Sequence, residues 1–405
     1  MPIQLSARTR SGADLVALAE QLASELATAA PEHDRDASYP FEGIAALQRA
    51  RYFAAPVPAE LGGLGVESLH DLVVAASRLA RGDASLAIGV NMHMAVLGNV
   101  ARRWRMATEL GDVRRAAAFG ETLTEVVHEG EIIATAVSEP GQDLTHPVTT
   151  ATRTECGWRV DGAKIFCTMS PAATVLFTTV SFVDDEGQER YGYARIPART
   201  PGVVIHDDWD ALGMRASGSN SISLEAVELP ESGVRGGFRA GDQLPYMERN
   251  LVAGLFHAAA SLGIAESADE VSRRGLVGRI NGDAHPRMQV ADNAVDLAAA
   301  RGILSRAGTL IDAHRSANPA SDGTPEELAA LFAEAQAAKA FVNEATARIV
   351  DRALALSGGA GYLNGSPLAR AYRDVKAGSF MHPLGANRAY DYLARVALGE
   401  PAPLH

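Results

Sequence analysis

The stretch "IIATAVSEPGQDLTHPVTTATRTECGWRVDGAKIFCTM", Ile132 to Met169, decides how this chain is read. Apolar residues stop recurring at helical spacing and begin to alternate with polar ones, with β-branched residues in short runs broken by Gly, Pro and Asp-Gly, which is the signature of strands and turns. The same character continues through "ATVLFTTVSF", "RYGYARIP" and "SISLEAVELP" to about Phe238. On either side the text is helical. "ADLVALAEQLASELATAA" and "LHDLVVAASRLARGDASLAIGVNMHMAVLGNVARRW" before it, and "RNLVAGLFHAAASLGIAESADEV" and "PEELAALFAEAQAAKAFVNEATARIVDRALALSGG" after it, carry apolar residues at i, i+3, i+4. The reading is an α+β chain of three parts: a helical domain over 1–128, a β domain (barrel or sandwich) over 129–240, and a four-helix bundle over 241–405.

Composition limits the function classes. The chain has 405 residues, is 47% hydrophobic and carries a formal charge of −12, so it lacks the basic stripe that a nucleic-acid surface requires. No run of basic residues suggests an anionic membrane, and neither a secretory leader nor a membrane span is read from the text; the expectation is a cytoplasmic protein acting on small molecules. The two cysteines, Cys156 and Cys167, fit no disulfide framework, and no residue spacing suggests a metal site.

Four segments then stand out in order: "VPAELGGLG" at 57–65, "TAVSEPG" at 135–141, "WDALGMRASGSNSISLEAVELP" at 209–230 and "ALALSGGAGYLNGSPLARAYRD" at 353–374. With the helix, sheet, helix order, they resemble the motifs of the acyl-CoA dehydrogenase superfamily of flavoproteins across nearly the whole chain. The resemblance implies FAD bound between the β domain and the bundle. Phe166 would wall the flavin ring, unless it is an ordinary core aromatic, and Val137, Ser138 and Thr168 would bond its polar edge. Gly358, Gly359 and Gly361 would let backbone amides approach the pyrophosphate. Arg273, Arg274 or Arg279, with Gln289, would reach the FAD of a neighbouring subunit, which implies a homotetramer or homodimer; Arg274 represents that group. Glu139 and Asp374 read as structural, and Cys167 as a small buried residue.

The resemblance also implies that a carboxylate removes an α-proton from an acyl thioester while hydride passes to the flavin. Eight residues after Asp374, where most members place that glutamate, this sequence has His382, flanked by Met381. A second location used by some members corresponds to "YMERNLVAG", making Glu248 the candidate base beside Arg249, against the plainer reading of a glutamate at a helix N-terminus. Arg249 and Met381 are the candidate substrate contacts. On this leading reading the substrate is a coenzyme A or carrier-protein thioester and the electron acceptor an electron-transferring flavoprotein. The competing reading is the flavin monooxygenase branch, which uses reduced flavin from a reductase and O₂; there His382, and His93 if it faces the cleft, would serve the oxygen chemistry. The plainer reading of His93 is a core histidine. A third reading is a non-catalytic partner subunit.

Overall fold

The computed structural model describes residues 4–140, 143, 145–276 and 284–404. The first part contains α1 (Arg10–Leu26), α2 (Ala30–Asp36), α3 (Phe41–Arg49), α4 (Leu69–Ala80), α5 (Ala84–Glu109) and α6 (Val113–His128). The long apolar run through residues 69–109 breaks between α4 and α5. Asp83 caps α5 by accepting from the Leu86 N–H, and a side chain at Gly82 would lie 2.1 Å from the Ala23 carbonyl, so the turn needs glycine there. Helix α4 is buried on every face, its polar residues His70, Asp71, Ser77 and Arg78 included.

The β part is one sheet, with β1 (Ile133–Ala136), β2 (Thr150–Thr154), β3 (Gly157–Cys167), β4 (Val175–Val183), β5 (Glu189–Pro197), β6 (Val203–Ile205), β7 (Asn220–Pro230) and β8 (Val234–Arg239). Its order is β6-β7-β3-β2-β4-β5-β8, with β1 added in parallel to β4. Val160, Leu176, Val180, Ile196, Ile222 and Leu224 form its apolar interior, together with Cys167, whose thiol burial keeps un-ionised and unreactive. Glu139 anchors the segment leading into the sheet: its carboxylate accepts from Lys164 at 2.7 Å, the Thr149 N–H at 2.7 Å and the Val148 N–H at 2.8 Å.

The last part comprises α7 (Leu244–Asn250), α8 (Ala253–Leu276), α9 (Ala284–Ala317), α10 (Pro325–Ser357), α11 (Pro367–Val375) and α12 (Ala386–Leu398). The bundle has three long helices, α8 to α10, and its fourth side is made by the shorter α11 and α12. Thr324 and Glu327 form a reciprocal capping box that starts α10, so the loop from α9 is shorter than its polar text suggests. Helices α5 and α7–α8 are each long and apolar enough to cross a membrane, yet 78% and 94% of their apolar windows are buried against other elements, as core helices are.

Two segments read separately from the sequence meet where the three parts join. Asp374 of α11 accepts the Met214 N–H at 2.6 Å, and Arg373 pairs with Asp34 of α2, whose carbonyl accepts from Arg215. A side chain at Gly213 would lie 2.3 Å from the Arg373 carbonyl. The Gly-Met-Arg turn and the Arg-Asp helix are thus two halves of one joint.

Candidate functional site

The end of β3 makes an aromatic shelf. After Ile165 bonds the Ser138 carbonyl at 2.9 Å, the chain kinks through Phe166, whose φ of 55° lies in the left-handed region that a bulky residue seldom adopts. The kink turns the Phe166 ring out of the sheet; it is 60% exposed and meets Trp209 edge to face at 6.0 Å between centroids. Thr168 follows on the same edge, its hydroxyl 2.9 Å from that of Ser219, which lies 2.7 Å from Ser217. Val137, Ser138, Phe166 and Thr168 are therefore brought to one edge of the sheet, with Trp209, Ser217 and Ser219 added. Nothing singled out Trp209 or Ser219 in the sequence, although both lie in the Gly-Met-Arg segment. An outward aromatic face bordered by hydroxyls fits a planar ring with polar edges such as a flavin, and Phe166 departs from the plain core reading.

A second cluster lies on α7 and the turn before α12. His382 Nε2 sits 2.9 Å from Asn250 Oδ1 and 3.0 Å from the Tyr246 hydroxyl, which donates to the Pro383 carbonyl at 3.3 Å. With the amide oxygen accepting, the imidazole carries its proton on Nε2. Desolvation, followed by the positive charges of Lys339 and Arg388, pushes the pKa of His382 down to about 3, so the ring is neutral across the physiological range. Neither Tyr246 nor Asn250 was picked out in the sequence; their four-residue spacing places both on one helix face.

Glu248 occupies the same helix but binds elsewhere. Its carboxylate lies 2.5 Å from Arg103 of α5, which also reaches Asp322 at 2.8 Å, and the Glu248 side chain is 30% exposed. Arg249 lies over the Tyr193 ring, 3.2 Å from its centroid, and its carbonyl accepts from Asn99 at 2.7 Å. Met381 gives its carbonyl to Lys339. The structure corrects the expectation that His93 could face the cleft. It is a buried core histidine, donating from Nε2 to the Phe53 carbonyl and accepting the Ile133 N–H on Nδ1, both at 3.1 Å, with its pKa pushed down to about 4 by burial.

The remaining candidates lie at the far end of the bundle. Gly358 ends α10 with φ 63°, and Gly358 and Gly359 face open space, while a side chain at Gly361 would collide with Ser357. Arg274 is exposed and paired with Glu270, Arg273 with Asp269, and Gln289 with His285 at 3.2 Å. Arg279 lies outside the described residues. No hydrogen bond among the described residues joins this group to the shelf.

Helical domain, aromatic-shelved sheet and bundle together define a flavoprotein oxidoreductase scaffold. Models of the acyl-CoA dehydrogenase N-terminal, middle and C-terminal domains match residues 15–105, 134–227 and 255–382. L-evernosamine nitrososynthase of Micromonospora sp. is 33% identical over 96% of this chain and 91% of its own length, and the amino sugar nitrososynthase DnmZ of Streptomyces peucetius 31% over 97% and 95%. The solved structure of KijD3 in complex with FMN and dTDP-3-amino-2,3,6-trideoxy-4-keto-3-methyl-D-glucose superposes with a TM-score of 0.88 at 30% identity, covering 98% of this chain and 96% of that one. The chain belongs to the acyl-CoA dehydrogenase family, and it is a flavin-dependent oxidoreductase.

Proposed function

We propose that this protein is a flavin-dependent N-oxygenase acting on the primary amine of a nucleotide-linked amino sugar. The observation that carries the reading is the neutral His382, held by Tyr246 and Asn250 where the resemblance leads one to look for a carboxylate. The full-length similarity to amino sugar nitrososynthases supports it. A bound reduced flavin supplies the two electrons that activate O₂; one turnover converts R–NH₂, O₂, two electrons and two protons to R–NHOH and water. The shelf of Phe166 and Trp209, edged by Ser138, Thr168 and Ser219, would hold the flavin ring. FMN would need no more than that shelf, and a flavin reductase would supply it reduced; FAD would in addition engage Gly358, Gly359, Gly361, Arg274 and Gln289 of a neighbouring subunit in a homodimer or homotetramer.

The α7 cluster would orient the amine. A neutral imidazole accepts a hydrogen bond without repelling a basic substrate, and Tyr246 and Asn250 fix the ring so that only one nitrogen carries a proton. Dehydrogenation of an acyl thioester by Glu248 requires its carboxylate to exchange Arg103 for the substrate α-carbon. The test separates the two. With a flavin reductase, NADH and air, the wild type should convert a dTDP-amino sugar to its hydroxylamino product and, in a second turnover that takes another O₂, two electrons and two protons and releases two waters, to the nitroso product; Glu248→Gln should change that rate by less than about threefold, since it loses only a part-exposed ion pair. Anaerobic bleaching of bound flavin by acyl thioesters, abolished in Glu248→Gln, would instead establish the dehydrogenase.

A further inference from the structure

Behind His382 the bundle buries a lysine that has no carboxylate partner among the described residues. Lys339 of α10 is 2% exposed. Its ammonium donates to the carbonyls of Met381 and, at 2.7 Å, of Leu384, the two residues that bracket His382 and Pro383. Buried polar side chains that carry no acid share the neighbourhood. Gln336, one turn earlier on α10, has both amide atoms unpaired, and His257 of α8 has both ring nitrogens unpaired. Gly254 is the packing point: a side chain there would lie 3.2 Å from Lys339 Cδ, 3.5 Å from Pro383 Cδ and 3.7 Å from Gln336 Nε2. An ammonium withdrawn from water without a counter-ion opposes folding, a poor device for stability alone. What this one does bond is the backbone on both sides of the candidate histidine.

We infer that Lys339 is a positioning residue that pins the 381–384 turn and thereby holds the His382 imidazole against Tyr246 and Asn250. The inference rests on the reading that His382 lies in the reacting site. The groups facing His382 are Tyr246 and Asn250 from α7, His257 from α8, Lys339 from α10 and Arg388 from α12; the two that carry charge are both cations. Burial draws the Lys339 pKa down to about 7, so its ammonium is partly deprotonated in neutral solution, while the amine keeps hydrogens to donate to a carbonyl.

The experiment follows the imidazole of His382 by ¹⁵N NMR in the full-length protein, assigned by its loss in His382→Asn, and compares Lys339→Met with the wild type. The wild-type ring should stay neutral from pH 8 to pH 5 and titrate only below that. In Lys339→Met the removed cation raises the pKa of His382, so its titration and the acid limb of kcat should both move to higher pH, with KM little changed. A folded Lys339→Met whose imidazole titrates and whose kcat varies with pH as in the wild type overturns the inference. Should that variant not fold, Gly254→Ala tests the geometry with the charge retained, by pressing on the lysine stem and Pro383. A roughly tenfold or greater loss of kcat at unchanged KM is then expected, as for a catalytic group displaced by a fraction of an ångström, and an unchanged kcat refutes the pin. Because the NMR titration needs no substrate, failure of the N-oxygenase reading would show as absent turnover in the wild type and leave the lysine's effect on His382 measurable.

Discussion

Glu139 to Ala is the perturbation that most directly probes how the sheet presents its flavin edge. The Glu139–Lys164 pair is buried, with the two side chains 2% and 0% exposed. The carboxylate serves the ammonium of Lys164, the Val148 and Thr149 amides and the Thr149 hydroxyl. Burial alone would raise the pKa of Glu139, but the charge and hydrogen bond of Lys164, with the donors of residues 148 and 149, outweigh it and hold the carboxyl ionised. Removing the acid leaves a buried cation with, among the described residues, only Thr179 to bond, for which the cost is ~3–5 kcal/mol. Glu139→Gln keeps one acceptor and sets a donor where the other was, so it should cost ~1–3 kcal/mol. The double change Glu139→Leu with Lys164→Met removes both charges and should cost less than Glu139→Ala alone, giving a coupling of about 2 kcal/mol or more. Urea unfolding followed by Trp fluorescence measures all of these, with flavin affinity as a second readout because Ser138 adjoins the anchor. A loss under about 1 kcal/mol in Glu139→Ala would refute the anchor.

Two further outcomes follow from buried groups at the joints. His93 has its pKa depressed to about 4 against an ordinary value near 6.5, so its contribution is complete above pH 6.5 and is lost as pH falls toward 4, by ~3 kcal/mol at most. His93→Gln should therefore be less stable than the wild type at pH 7, with the gap narrowing on acidification; a constant gap in melting experiments between pH 7 and 4 would contradict this. Asp374 behaves oppositely: desolvation pushes its pKa up to about 7, so stability from this group is lost as pH rises from about 4 to 7, and Asp374→Asn, which can still accept the Met214 N–H, should be at least as stable as the wild type at pH 8. Loss of more than about 2 kcal/mol at that pH would mean that the carboxylate form is needed.

Much of this molecule was written locally. Helical spacing and the change to alternation at Ile132 determined the order of helices, sheet and bundle, because those periodicities reflect how each element buries one face. The motif text grouped Val137, Ser138, Phe166 and Thr168 and marked Glu139 and Asp374 as structural groups, but the turn that Asp374 holds, at Met214, lies 160 residues away in the chain. The tertiary structure decided the rest. Lys339 stands in an alanine-rich helix that gives no hint of a buried ammonium, and Tyr246 and Asn250 acquire meaning only when a turn more than 130 residues away brings His382 against them. Glu248 reads as a base or as a helix-end acid until α5 sets Arg103 beside it. His93 reads the same whether it faces a cleft or the core until Phe53 and Ile133 take both its nitrogens. Periodicity reports which face of an element is buried; the charge and hydrogen-bond partners of a side chain depend on what distant segments pack against that face, and that only the assembled chain supplies.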